Sequence, residues 1–222
     1  MIYEVVKKNY KDAPYNINEI VRYTGAKKLD ASLESVIASC WKELEKIDIT
    51  FSVCYVELPL KINEDIIDFG DIKMASSNLA HVLDGTNKAL IFACTIGMGI
   101  DRLIQRYSQI DELKALVLQA IGAERVETFI DIFIKEYEDK NNVKLTKRFS
   151  PGYGDLSLET QKDVFALLKP EKSIGVTLND SLLMSPSKSV TAIAGINGDC
   201  GKDEDCLSCD RTNCEYRRQY GF

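Results

Sequence analysis

Apolar residues recur at helical spacing through most of this chain, and they are interrupted by two runs in which β-branched and aromatic residues stand side by side. The spacing predicts helices over Asn16–Tyr23 and Asp30–Ile47, the second with Asp30 as N-cap and Leu33, Val36, Ile37, Cys40, Trp41, Leu44 and Ile47 on one core-facing stripe. Thr50–Leu60 and Lys88–Thr95 read as strands. Between them the pattern allows a short strand at Ile72–Met74 and a helix over Ser77–Leu83. After Gly97-Met98-Gly99, helices are predicted over Ile100–Tyr107 and from Asp111 to Lys140. The second of these is too apolar for a solvated helix, since Leu113, Leu116, Val117, Ala120, Ile121, Val126, Phe129, Ile130, Phe133 and Ile134 all lie on it. It is read as the central helix. A further helix over Leu158–Leu168 ends at Pro170, and two closing strands are expected around a turn at Ser185-Pro186-Ser187-Lys188.

Helices of this length mixed with separated strands predict an α+β fold, a mostly antiparallel sheet with helices packed on it. At 222 residues and 45% hydrophobic, the chain can bury one substantial core. It is read as one domain over residues 1–196 with a cysteine-rich tail over 197–222. The balance of 34 acidic against 28 basic residues, a formal charge of -6, makes nucleic acid a poor partner. No stretch reaches the length of a bilayer span, and the first residues lack the order of a secretory leader. Neither export nor membrane insertion is expected. Of the seven cysteines, Cys40, Cys54 and Cys94 sit singly in apolar patterns, which fits a reducing cytoplasm.

The candidate chemistry concentrates in Arg148-Phe149-Ser150-Pro151-Gly152-Tyr153-Gly154-Asp155. Pro151 fixes its own φ and restricts Ser150, while Gly152 and Gly154 can let the backbone approach a ligand. Arg148 offers a planar cationic fork suited to a carboxylate, and Tyr153 a π-face with a hydroxyl tip. Composition alone favours a tight turn over a site, because Pro-Gly pairs punctuate many loops that bind nothing. Upstream, helix periodicity puts Glu124 and Glu127 about one turn apart. Glu124 reads as a solvated carboxylate at a helix edge, and Glu127 lies beside the apolar stripe. The only histidine, His81, falls on an ordinary helix, so no Ser-His-Asp or Cys-His arrangement is available.

The Arg-x-x-Pro-Gly-Tyr segment resembles the signature of the activation (reactivation) domain of cobalamin-dependent methionine synthase. Ala120–Phe129 resembles that family's long helix with its ligand-facing Glu, and Val176–Pro186 with Ser189–Ile196 its last strand pair. The resemblance implies S-adenosylmethionine as ligand, held by Glu127, Arg148, Ser150, Gly152 and Tyr153. Arg148 would take the ligand carboxylate, Glu127 its amino or ribose hydroxyl groups, and Ser150 to Tyr153 its adenine. It also implies reductive remethylation of cob(II)alamin, with no catalytic side chain of the domain's own. The sequence departs from the family in having Gly154-Asp155-Leu156 where proline and small residues commonly follow the tyrosine. It contains no Asp-x-His-x-x-Gly motif for cobalt ligation. The resemblance therefore implies a cobalamin supplied by a partner, either a methionine synthase or another corrinoid protein, and a reductant protein such as flavodoxin or ferredoxin.

Cys200, Cys206, Cys209 and Cys214 place four thiols within fifteen residues with no histidine nearby. Such a set is expected to hold metal, either structural zinc or an iron-sulfur cluster. The spacing fits neither a paired Cys-x2-Cys ribbon nor the usual ferredoxin run. Two functions follow as expectations. One is a stand-alone activation subunit, a component of a methyltransferase rather than a complete enzyme. The other is an S-adenosylmethionine-binding or metal-binding accessory protein of another corrinoid methyltransferase, without methyl transfer of its own.

Overall fold

The computed structural model describes residues 2–10, 13–47 and 49–197. In chain order the elements are β1 (Ile2–Lys8), α1 (Ile17–Thr24), α2 (Ala31–Leu44), β2 (Phe51–Pro59), β3 (Lys61–Asn63), β4 (Ile66–Asp68), β5 (Lys73–Ala75), α3 (Ser77–Val82) and β6 (Lys88–Thr95). They continue with α4 (Gly99–Tyr107), α5 (Glu112–Asn141), β7 (Lys144–Leu145), α6 (Thr160–Leu168), α7 (Pro170–Ser173), β8 (Thr177–Leu178), β9 (Met184–Ser185) and β10 (Ser189–Asn197). The fold is α+β, with a five-stranded antiparallel sheet in the order β1-β2-β6-β10-β7. Ile2–Lys8, to which the sequence pattern assigns no element, forms one edge of it.

The strands read as continuous apolar runs because the sheet is covered on both faces. Alternation sends Phe51, Val53 and Tyr55 of β2 and Leu90, Phe92 and Cys94 of β6 into one core with α1, α2, α4 and α5. Cys54, Val56 and Leu58 with Ala89, Ile91 and Ala93 enter a second core on the other face, beneath β4, α3 and α6. The 30-residue α5, about 45 Å long at 1.5 Å per residue, lies across the first face. Its Phe129, Phe133 and Tyr137 recur every fourth residue and meet Phe51, Tyr55 and Phe92 at ring-centroid distances of 5.6 to 6.2 Å. Asp111 caps the start of α5 by accepting from the Lys114 amide, and Asn142 ends it in a left-handed conformation.

Two expectations are corrected. The closing strand pair does not form around Ser185–Lys188: β9 pairs with β8, and β10 pairs along most of its length with β6. Pro186 has no amide to donate, and Ser187 donates its amide to Asp101 of α4 at 2.9 Å, so the segment is tied to the helix instead of folding back as a hairpin. Glu124 is not solvated. It is 2% exposed and Arg125 3%, because the segment leading into α1 covers this face of α5.

The Glu124 carboxylate accepts from both Nε and Nη2 of Arg125 (2.6 and 2.7 Å), from the Asn16 amide (2.8 Å) and from the Thr128 hydroxyl (2.8 Å). Arg125 also donates to the carbonyls of Ala13 and Pro14, and its guanidinium lies 5.5 and 5.3 Å from the rings of Trp41 and Phe129. Every charge in this knot has a partner, which is the condition under which a buried pair is tolerated. Glu124→Ala leaves the arginine without its counter-ion and is expected to cost about 3 kcal/mol in urea unfolding at neutral pH. A loss below about 1 kcal/mol would show that the knot contributes no more than a surface pair.

Candidate functional site

The site begins where β7 leaves off. Thr146 donates its amide to the Gly195 carbonyl at 2.9 Å, and Phe149 exchanges two 2.8 Å backbone hydrogen bonds with Ile193. These bonds clamp the start of the Gly-rich loop to the edge of β10. Because side chains alternate along extended backbone, Phe149 enters the core beneath α3 and α6 while Arg148 faces α5.

There Arg148 meets two carboxylates four residues apart on α5. Its Nη1 donates to Asp131 at 2.5 Å and its Nη2 to Glu127. The Arg148 side chain is 19% exposed, Glu127 32% and Asp131 51%. Burial works against the guanidinium charge, and the two carboxylates outweigh it, so the arginine pKa is raised and the cation is permanent. Burial drives the thiol pKa of Cys94 on β6 well up, and the Glu127 charge adds to this. Tyr23 of α1 also feels Glu127, its hydroxyl raised first by burial and then by that carboxylate.

The remainder of the loop is a compact turn. Pro151 is buried, the Tyr153 amide donates to the Ser150 carbonyl at 3.1 Å, and the Gly152 amide to the Leu156 carbonyl at 2.9 Å. Gly152 at φ +89° and Gly154 at φ +55° both sit where a side chain is strained, and a Cβ on Gly154 would also collide with Asn78. Tyr153 is half exposed at the tip. Asp155 then closes the turn against the start of α3, accepting from the Ser77 amide (2.8 Å), the Ser77 hydroxyl (2.7 Å), the Asn78 amide (3.3 Å) and the Ser76 hydroxyl. These donors hold its carboxyl well below the usual range, the Ser76 bond first among them.

The expected residues thus fall into two groups. Arg148 and Glu127 are brought into direct contact, and Ser150, Gly152 and Tyr153 build the adjoining turn. Asp131 and the anchoring role of Asp155 escaped sequence reasoning. The position of Asp131 four residues after Glu127 was a usable signal for the first, whereas nothing local foretold that Asp155 reaches Ser76–Asn78. Cys200, Cys206, Cys209 and Cys214 lie outside the described residues, and among the described residues no cluster of His, Cys, Asp and Glu could hold a metal ion. An open cleft of about 510 Å³ lined by Ile47, Gly99, Arg102, Leu103 and Arg106 contains none of the loop residues.

The α+β domain thus presents a cation and two carboxylates at a strand edge, followed in the chain by a Gly-rich turn. The family model for the activation domain of vitamin B12 dependent methionine synthase matches residues 79–200, and the chain belongs to that family. Among solved structures it is similar to the MetH reactivation domain bound to AdoHcy. The TM-score is 0.65 at 14% identity, with 91% of this chain and 80% of that one covered. A search of curated proteins found no match. No helix among the described residues is long and apolar enough to cross a membrane.

The Asp155 anchor has a measurable consequence. Its depressed pKa means that the stabilisation is fully present above the unfolded-state value near 4 and is lost only as pH falls through the lower folded value. Asp155→Ala is therefore expected to speed amide exchange at Ser77 and Asn78 at neutral pH. Wild-type exchange there should stay slow, relative to the variant, as pH drops through the ordinary carboxylate range. Equal exchange in the two proteins at neutral pH would show that the loop is held by other contacts.

Proposed function

We propose that this chain is a stand-alone activation subunit that binds S-adenosylmethionine and supports reductive remethylation of cob(II)alamin on a separate cobalamin-carrying methionine synthase. The observation that carries this reading is the placement of Arg148, paired with Glu127 and Asp131, next to the Ser150–Tyr153 turn in a chain of the activation-domain family. The donor set suits the ligand. Arg148 offers charge-assisted hydrogen bonds to its carboxylate, and Glu127 accepts from its amino or ribose hydroxyl groups. The backbone of Ser150 and Gly152 and the Tyr153 ring suit a flat heterocycle.

When bound, S-adenosylmethionine supplies an electrophilic methyl group. The reaction would add one electron from a reductant protein such as flavodoxin or ferredoxin, and that methyl group as a cation, to the cobalamin carried by the partner, with the methyl–sulfur bond breaking to leave S-adenosylhomocysteine. The chain's own residues bind and orient the ligand, so the rate gain is one of proximity and orientation. This agrees with a site in which Arg148 is permanently charged and the only histidine, His81, lies on the short helix α3.

Isothermal titration of S-adenosylmethionine tests the site. Wild-type protein is expected to bind, and Arg148→Ala to bind roughly tenfold or more weakly, the scale of hydrogen bonds to a charged group. Adding the wild-type chain, ligand and a reductant to an inactive cob(II)alamin-bound synthase is expected to regenerate the methylated cofactor, seen in its visible spectrum. Ligand binding without regeneration would favour the accessory-protein reading.

We also propose that Cys200, Cys206, Cys209 and Cys214 bind metal as a four-thiolate set. Anaerobically purified protein is expected to carry either zinc without colour or iron with broad visible absorption, and Cys206→Ser to lose it. Metal-free protein with reactive tail thiols would refute the assignment.

A further inference from the structure

Arg148 is largely withdrawn from solvent, and both of its terminal nitrogens already have carboxylate partners. The unliganded protein has a reason to supply them, since a cation this enclosed is costly without a counter-ion. Two carboxylates four residues apart on a helix repel each other, however, and one of them is enough to neutralise the arginine. Together the three charges sum to -1. The two differ in burial. Glu127 is about one-third exposed, and its charge reaches Cys94 and Tyr23, whereas Asp131 is about half exposed and regains water readily when released.

We propose that Asp131 is a displaceable counter-ion. In the unliganded protein it holds the Nη1 side of Arg148, and a carboxylate-bearing ligand takes that position while Glu127 keeps Nη2. Exchanging one carboxylate for another leaves the charge at the guanidinium unchanged, so the exchange is nearly isoenergetic. Asp131 thereby sets how much affinity the carboxylate of a ligand adds and tunes the site toward easy release. This rests on the proposed S-adenosylmethionine site, and it adds an affinity-setting residue to it.

The test compares S-adenosylmethionine with its decarboxylated analogue by titration into wild-type, Asp131→Asn and Asp131→Glu proteins, and takes the ratio of the two dissociation constants in each. The ratio isolates the carboxylate, because the sulfonium, amino group and nucleoside are common to both ligands. With Asp131→Asn the competitor for Arg148 is gone, and the preference for the carboxylate-bearing ligand is expected to rise about tenfold. Asp131→Glu keeps the charge and should retain the wild-type ratio. A half-exposed, near-isosteric asparagine leaves the fold intact, to be checked by thermal unfolding. A ratio in Asp131→Asn that equals or falls below wild type overturns the displaceable counter-ion while leaving the ligand site standing. Failure of all three proteins to bind either ligand overturns the ligand site, and the counter-ion with it.

Discussion

The docking of α5 across the sheet is the constraint on which the rest of the molecule depends. A helix of 30 residues has no freedom to rotate about its axis once Phe129, Phe133 and Tyr137 are seated among Phe51, Tyr55 and Phe92. Fixing that face fixes every other. Glu124 and Arg125 are turned under α2 and the segment that leads into α1, while Glu127 and Asp131 are turned toward the strand edge from which Arg148 projects. The aromatic contacts are numerous and buried, so they set the position. The ion pairs are directional and few, and they depend on it.

Two charged assemblies on the same helix therefore have opposite characters. Around Glu124 and Arg125, carbonyls, an amide and a hydroxyl complete the hydrogen bonding and water is shut out. Such a knot pins the chain entering α1 to α5. Around Arg148 the carboxylates remain partly wet, and the loop that follows in the chain carries an exposed tyrosine at its tip. Low exposure without full closure keeps the electrostatics strong while both carboxylates stay in contact with water.

The loop itself shows how rigidity is obtained without secondary structure. Its entry is fixed by the Phe149–Ile193 bridge and its exit by Asp155 at the start of α3, with positive-φ glycines between. The Asp155 that follows Gly154 thus has a structural role. A carboxylate tied to Ser76, Ser77 and Asn78 does the anchoring that a proline would do by restricting the backbone.

Much of this was legible in the chain alone. The 3.6 period located α2 and α5, and continuous apolar runs located β2 and β6, within a few residues, because the helices bury one face and the strands both. The turn after Arg148 was legible through Pro151, Gly152 and Gly154, which mark a tight turn. Where the pattern misled, the cause was a contact between segments distant in sequence. Glu124 looks solvated until the approach to α1 covers it, Ile2–Lys8 looks unstructured until β2 offers it a partner, and the strand after Lys188 pairs with β6 because that edge was open. Local periodicity determines which face of each element seeks the interior. Only the tertiary structure decides which distant group meets it there, because that choice is made by packing and hydrogen-bond satisfaction summed over the whole domain and is not encoded at any one position.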